Sequence, residues 1–144
     1  MSPAQVSGAG IQSWTFPLGT GVPAPSGAYA HATAHGSTLY VTGQLPIDPS
    51  TGRLIGGDIT AQTNQVMANL ARVLELCGSS LQACLMARSF LRHEEDFAAY
   101  DATFRAWFPE RLPSRTTVVV SGFAIPAALV EIDLVAVLPA PTDQ

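Results

Sequence analysis

The sequence predicts an α+β domain, a single antiparallel or mixed sheet with two helices packed on one of its faces, and three observations predict it. Residues 59–77 place Ile59, Val66, Leu70, Val73, Leu74 and Cys77 at helical spacing. Residues 128–138 alternate strictly: Val130, Ile132, Leu134, Ala136 and Leu138 take one face, and Leu129, Glu131, Asp133, Val135 and Val137 the other. The elements follow the order strand, helix, strand, helix, strand, strand, which one sheet backed by helices accommodates. The 144 residues suit one domain.

The first 28 residues are rich in Gly, Pro, Ala and Ser and read as a loosely ordered arm with a short strand near residues 14–16. The β-rich run Thr38-Leu-Tyr-Val-Thr-Gly43 reads as a strand, and Pro46-Ile-Asp-Pro-Ser-Thr-Gly52 as a turn-laden loop. Asp58 is a good N-cap for the first helix, and Gly78 stands where a left-handed residue ends it. Gln62, Gln65, Asn69 and Arg72 form the polar face of that helix. Residues 84–91 read as a strand. A second helix over 95–108 puts Phe97, Tyr100, Phe104, Trp107 and Phe108 on its core side, begins with acidic residues, and stops at Pro109. Strands over 114–121 and 128–138 close the domain, and residues 139–144 read as a frayed end.

Composition narrows the function classes. Only 12% of residues are charged against 47% hydrophobic. So little charge to cover a small surface predicts a homo-oligomer. The net charge is −4, all seven cationic residues are arginines, and they are scattered (53, 72, 88, 92, 105, 111, 115), which argues against a nucleic-acid partner. The absence of lysine excludes a Schiff-base lysine, a P-loop lysine and a pyridoxal-phosphate anchor. Cys77 and Cys84 read as buried apolar residues of a reducing, cytoplasmic setting. No signal peptide or membrane-spanning run is evident. No His, Cys and Asp cluster has metal-ligand spacing, and Ser121 lacks a nucleophile-elbow context. His35 and His93 read as surface residues.

Strand parity sets Arg115, Thr117, Val119 and Ser121 on one face. If residues 122–127 make the last two strands a hairpin, Arg115 lies opposite Glu131 on the face away from the helices. The pair is then a cross-strand salt bridge on a solvated face, or a site in which Arg115 holds an anion and Glu131 handles water or a proton. Arginine suits the first role because its planar fork matches a carboxylate and keeps its charge. A carboxylate suits the second because it can take up a proton.

The series Leu39-Tyr-Val-Thr-Gly-Gln-Leu-Pro-Ile-Asp-Pro-Ser-Thr-Gly52, Gly56-Gly-Asp-Ile59, Gln62-Thr63, Asn69-Leu70, Pro113-Ser-Arg-Thr-Thr117 and Leu129-Val-Glu-Ile132 resembles, in one collinear order, the RidA/YjgF/UK114 family of reactive-intermediate deaminases. The resemblance covers residues 27–138, leaving 1–26 as an N-terminal arm and 139–144 as a tail. It implies a chorismate-mutase-like fold and a homotrimer in which three sheets form a barrel with sites between subunits. It implies cofactor-free and metal-free hydrolysis of enamine or imine intermediates, such as 2-aminoacrylate, to a 2-keto acid and ammonia. Arg115 takes the place of the arginine that binds the substrate carboxylate, and Glu131 that of the glutamate that positions water. Tyr29 and Thr42 take the places of a tyrosine and a serine of the pocket. Departures fall at Ala28, Ala30 and His31, at Asp101 where asparagine is usual, and at Thr117 where some members have cysteine. Tyr29, His31, Thr42, Asp101, Arg115 and Thr117 are thus the candidate substrate contacts, and Arg115 and Glu131 the candidate catalytic pair. The altered residues leave open a pathway-specific hydrolase or tailoring enzyme acting on a larger enamine, imine or acyl intermediate. A non-catalytic ligand-binding trimer is the third reading.

Overall fold

The computed structural model describes residues 4–140. In chain order the elements are β1 (Gln5–Val6), β2 (Gln12–Trp14), β3 (Ala32–His35), β4 (Thr38–Gln44), β5 (Ile47–Asp48), β6 (Arg53–Leu54), α1 (Ile59–Leu76), β7 (Cys84–Leu91), α2 (Phe97–Ala106), β8 (Ser114–Val119) and β9 (Val130–Val137). A single 3-10 turn precedes β7 and another precedes α2.

Local chemistry sets the ends of α1. The Asp58 carboxylate accepts the Ala61 amide at 2.9 Å, satisfying one of the donors that a helix start leaves unpaired. At the other end Gly78 takes φ +85°, and the Ser79 amide returns to the Leu74 carbonyl at 2.8 Å. The stripe Val66, Leu70, Val73 and Leu74 is fully buried against the sheet. Each such side chain contributes about 1.5–3 kcal/mol through burial.

The polar face of α1 is in part buried. Gln62 and Asn69 are buried. Gln62 Oε1 accepts the Leu129 amide at 2.8 Å, and Asn69 Nδ2 donates to the Leu45 and Ile47 carbonyls. These amides anchor the chain just before β9 and just after β4, the two segments that flank the site described below. A buried amide is stable there because loop backbone satisfies it.

Seven strands share one mixed sheet in the order β1-β2-β3-β4-β9-β7-β8, and β5 and β6 make a separate two-stranded ribbon that begins in the expected loop and ends just beyond it. β9 runs antiparallel to both β4 and β7, so these two are parallel to each other and α1 is the crossover between them. α2 is the crossover from β7 to β8, which pair in parallel. The expected hairpin between the last two strands is therefore overturned. β8 is an edge strand, and β9 inserts between β4 and β7 instead of beside β8. Parity assigns faces correctly within each strand, but it carries no information about which strand lies alongside.

The N-terminal arm is also more ordered than its composition predicts. β1 and β2 extend the sheet through β3, and Trp14, Phe16 and Val22 belong to the same core as the helices. Arg72 Nε donates to the Thr20 carbonyl at 2.8 Å and helps hold the arm down. Of the expected tail, residues 141–144 lie outside the described residues.

Both helices cover one face of the sheet, where Val130, Ile132, Leu134 and Ala136 are buried. The opposite face is uncovered in the single chain. It is a concave surface enclosing about 670 Å³, bordered by Tyr29, Tyr40, Thr42, Met86, Arg88, Asp133 and Val135. Among the described residues no helix is long and apolar enough to cross a membrane.

Candidate active site

The residues expected to act together fall into two groups on opposite faces of the sheet. The first surrounds Glu131. Its strand partner is Phe90, and its side chain points to the uncovered face because Val130 and Ile132 point to the helices. A β-bulge interrupts the pairing of β4 with β9 between Val41 and Gln44, and this irregularity turns Thr42 and Gly43 toward Glu131. The Glu131 carboxylate rests against the bare Cα of Gly43: a β-carbon there would lie 3.0 Å from Oε2. Together with Tyr29, His31, Thr42 and Ala124 they line a cleft of about 340 Å³.

Glu131 is half-buried, and its pKa is raised first by that burial and then by the charge of Asp133 two residues on. Asp133 itself is held bidentately by Arg88, at 2.9 and 2.7 Å. The cross-strand ion pair of this face is thus Arg88–Asp133, not Arg115–Glu131.

The second group surrounds Arg115. The register places Arg115 beside Ala87, and Ala87 beside Leu134, so the guanidinium is on the helix-covered side of the edge strand. It lies over three aromatic rings of α2 or its start, 4.8 Å from the centroid of Phe104, 5.0 Å from Tyr100 and 5.7 Å from Phe97. Nη2 donates to Asp101 Oδ1 at 2.7 Å. The aromatic periodicity read from α2 therefore serves two ends. Tyr100, Phe104 and Phe108 are core, whereas Phe97 is 44% exposed and helps to shelf the arginine.

Thr117 lies in the same strand, in register with Ser89, and its buried hydroxyl makes no hydrogen bond. The Tyr100 hydroxyl donates to Ser89 Oγ in a short contact. Burial raises the Tyr100 pKa, outweighing the Ser89 hydroxyl and the Arg115 charge, so this phenol stays protonated near neutrality.

The other candidates are placed as follows. Tyr29 is 44% exposed, and its hydroxyl accepts the Ser26 amide at 3.0 Å. Thr42 sits at the mouth of the Glu131 cleft, its amide donating to the His31 carbonyl. The His31 ring is only 1% exposed, and backbone occupies both of its nitrogens. Nδ1 accepts the Phe16 amide at 3.0 Å, and Nε2 donates to the Pro23 carbonyl at 2.8 Å. It acts as a clamp on the N-terminal arm, and a ring so engaged has no donor or acceptor left for a substrate.

Cys77 and Cys84 are buried, and burial pushes their thiols up to about 12 and about 11, which leaves neither poised as a nucleophile. His35 and His93 are exposed. Among the described residues no group of three or more His, Cys, Asp or Glu is placed to hold a metal ion.

Gly43 was missed by residue-by-residue reading, although it stands within the recognisable run from Leu39 to Gly52. What marks it is a glycine inside a β-rich stretch, a signal for a bulge or a close approach.

Residues 20–138 match the family model described as Endoribonuclease L-PSP. The chain belongs to this family, the YjgF/RidA family. A RutC family protein of Sulfurisphaera tokodaii is 40% identical over 113 residues, covering 78% of this chain and 90% of the relative. The 3-aminoacrylate deaminase RutC of Acinetobacter baylyi is 36% identical over 119 residues, 83% of this chain and 94% of its own. The rat 2-iminobutanoate/2-iminopropanoate deaminase is 31% identical, covering 80% and 83%. Among solved structures, RidA from an Antarctic Psychrobacter superposes with a TM-score of 0.78 at 33% identity, covering 82% of this chain and 94% of that one. The YjgF/RidA family thus includes enzymes named as deaminases of imines and aminoacrylates, at about a third identity to this chain.

Proposed function

We propose that this chain hydrolyses a reactive 2-imino acid, or the enamine in equilibrium with it, to a 2-keto acid and ammonia, with no cofactor. The observation that carries the reading is the Glu131 carboxylate: half-buried, raised in pKa, and seated against Gly43 in a cleft the size of a small metabolite.

The chemistry asks little of the protein. A protonated imine is already electrophilic. Water adds to its carbon while Glu131 takes the proton that water sheds, giving a carbinolamine. That proton then passes to nitrogen, the carbon–nitrogen bond breaks, and ammonia leaves as the carbinolamine hydroxyl gives its proton back to Glu131 and becomes the carbonyl. An enamine first takes a proton at carbon and enters the same path as the imine. Arg115 holds the substrate carboxylate, its fork suited to that shape and its orientation restrained by the aromatic shelf. Tyr29 and Thr42 border the Glu131 cleft and Thr117 the Arg115 side, and in this reading they shape the pocket.

One chain cannot present Arg115 and Glu131 to the same small molecule, because the sheet separates them. The site is therefore built between copies, each contributing Arg115 to one cleft and Glu131 to another. A homotrimer with three such clefts suits the apolar surface that the single chain leaves open: Tyr40 and Val137 on the uncovered face, and Val118 and Val119 on the edge strand. Nucleic acid is a poor fit as a partner. Arg72, Arg88 and Arg115 are paired with carboxylates, and Arg111 is bound to the Gln82 and Cys84 carbonyls.

The test is direct. 2-Aminoacrylate is generated from serine by a dehydratase, or 2-imino acids from amino acids by an oxidase, and keto-acid release is followed with semicarbazide competing for the imine. The protein should accelerate release above the spontaneous rate, and no acceleration with any imine would refute the reading.

A further inference from the structure

The guanidinium assigned to the substrate carboxylate already holds a carboxylate of its own. Nη2 of Arg115 donates to Asp101 Oδ1 at 2.7 Å, with the arginine side chain 19% and the aspartate side chain 34% exposed. The pair is neither a fully solvated surface bridge nor a closed core pair. It opens onto a shallow cleft of about 200 Å³, bordered by Asp101, Phe104, Arg105, Leu112, Pro113 and Arg115.

Only one of the five guanidinium donors is engaged by Asp101. The aromatic rings hold the guanidinium plane and supply no hydrogen-bond acceptor. Arg115 therefore retains donors for an incoming carboxylate, but that carboxylate must bind beside an existing negative charge. At separations of a few ångströms, in a partly sheltered site, like-charge contact discriminates strongly between ligands.

We propose that Asp101 is the specificity-determining residue of this site, an internal counter-ion that admits monocarboxylate substrates with neutral or cationic side chains and rejects those with a second carboxylate. The inference rests on the assignment of Arg115 as the carboxylate anchor. Asp101 screens the attraction of Arg115 for any anion. Its remaining oxygen is an acceptor for a donor group on the substrate. Asp101 makes no bond to the reacting atoms, so it governs which molecule binds and not how the carbon–nitrogen bond breaks.

The experiment measures binding of stable keto-acid products by titration calorimetry, with the full chain in its native assembly. The probes are 2-oxobutanoate, which carries one carboxylate, and 2-oxoglutarate, which carries two. Wild type, Asp101→Asn and Asp101→Ala are compared. Wild type should bind 2-oxobutanoate at least about tenfold more tightly than 2-oxoglutarate. Both variants should bind 2-oxoglutarate at least about tenfold more tightly than wild type, so that the preference shrinks or reverses. A ratio of two affinities within one preparation is insensitive to the fraction of active protein, so a partly unfolded variant still reports. An unchanged ratio in both variants overturns the proposal.

Arg115→Ala separates this outcome from failure of the underlying reading. If that variant binds both acids as wild type does, Arg115 is not the anchor. If it loses both acids while the Asp101 variants keep the wild-type ratio, the anchor stands and the role given to Asp101 falls.

Discussion

Arg115 and Glu131 point to opposite faces of the same sheet, Arg115 toward α2 and Glu131 toward the uncovered concave surface. The cause is topological. β9 enters the sheet between β4 and β7, so β8 is left at the edge, parallel to β7. The separation yields a test by complementation. Arg115→Ala and Glu131→Gln should each lose about a hundredfold in activity alone, yet unfolding and refolding them together at equal amounts should restore much of it. In randomly mixed assemblies about one site in four receives both native residues. Activity no greater than that of the separate variants would place the site within one chain or elsewhere.

Loss of the Arg115 guanidinium removes the group proposed to orient the substrate. Arg115→Ala should lower kcat/KM for 2-imino acids by about a hundredfold or more, and Arg115→Lys should recover only part of it, because an ammonium lacks the planar fork. Steady-state kinetics over a series of imines checks this. A lysine variant equal to wild type would mean that charge alone suffices.

Glu131 carries a pH signature. Its pKa is raised by burial and by Asp133, so the acidic limb of kcat/KM should lie above the ordinary carboxylate range. Glu131→Gln should abolish that limb and reduce the rate by about a hundredfold. Stability moves the other way. The folded chain binds this proton more tightly than the unfolded chain, so the contribution of Glu131 is most favourable below the unfolded pKa and is lost as pH rises through the folded one. Denaturation midpoints between pH 4 and 7 for wild type and Glu131→Gln should differ in this sense.

Gly43 should tolerate no side chain without functional cost. In Gly43→Ala the new methyl carbon would lie 3.0 Å from Oε2 and 3.2 Å from Cδ of Glu131, which displaces the carboxylate. The obstructing group is the end of a flexible side chain, so stability should change by no more than about 1 kcal/mol while kcat falls at least about tenfold. Thermal unfolding and turnover measured on one preparation decide it. A variant with native turnover would show that the seating of Glu131 is irrelevant.

His31 should matter for the fold. His31→Ala leaves the Phe16 amide and the Pro23 carbonyl without their buried partner, at a cost of about 2–4 kcal/mol. His31→Gln can both accept and donate, and it should retain more of the stability. Urea denaturation followed by tryptophan fluorescence in a Trp107→Phe background tests this, because the remaining Trp14 is buried in the β2 strand that the clamp adjoins.

Periodicity and capping are legible in the sequence. Asp58 and Gly78 delimit α1 as expected, and the alternation of β9 assigns its inner and outer faces correctly. These properties depend on residues within a few positions of one another. The arm was illegible because its composition signals turns, whereas its order comes from distant partners: Arg72 on Thr20, His31 on Phe16 and Pro23, and a place for Trp14 in the common core. The burial of Gln62 and Asn69 is illegible for the same reason. An amide on a helix is solvated or buried according to whether distant backbone meets it.

The family, the two-helix sheet and the candidate pair of Arg115 and Glu131 were determined by the sequence alone, because motif order, spacing and side-chain chemistry are properties of the chain itself. Tertiary structure alone decided that the two residues stand on opposite faces, that Gly43 seats one of them and that Asp101 already holds the other. Those facts follow from which strand lies beside which, and strand neighbourhood is settled by the packing of α1 and α2 across the whole sheet rather than by any local pattern.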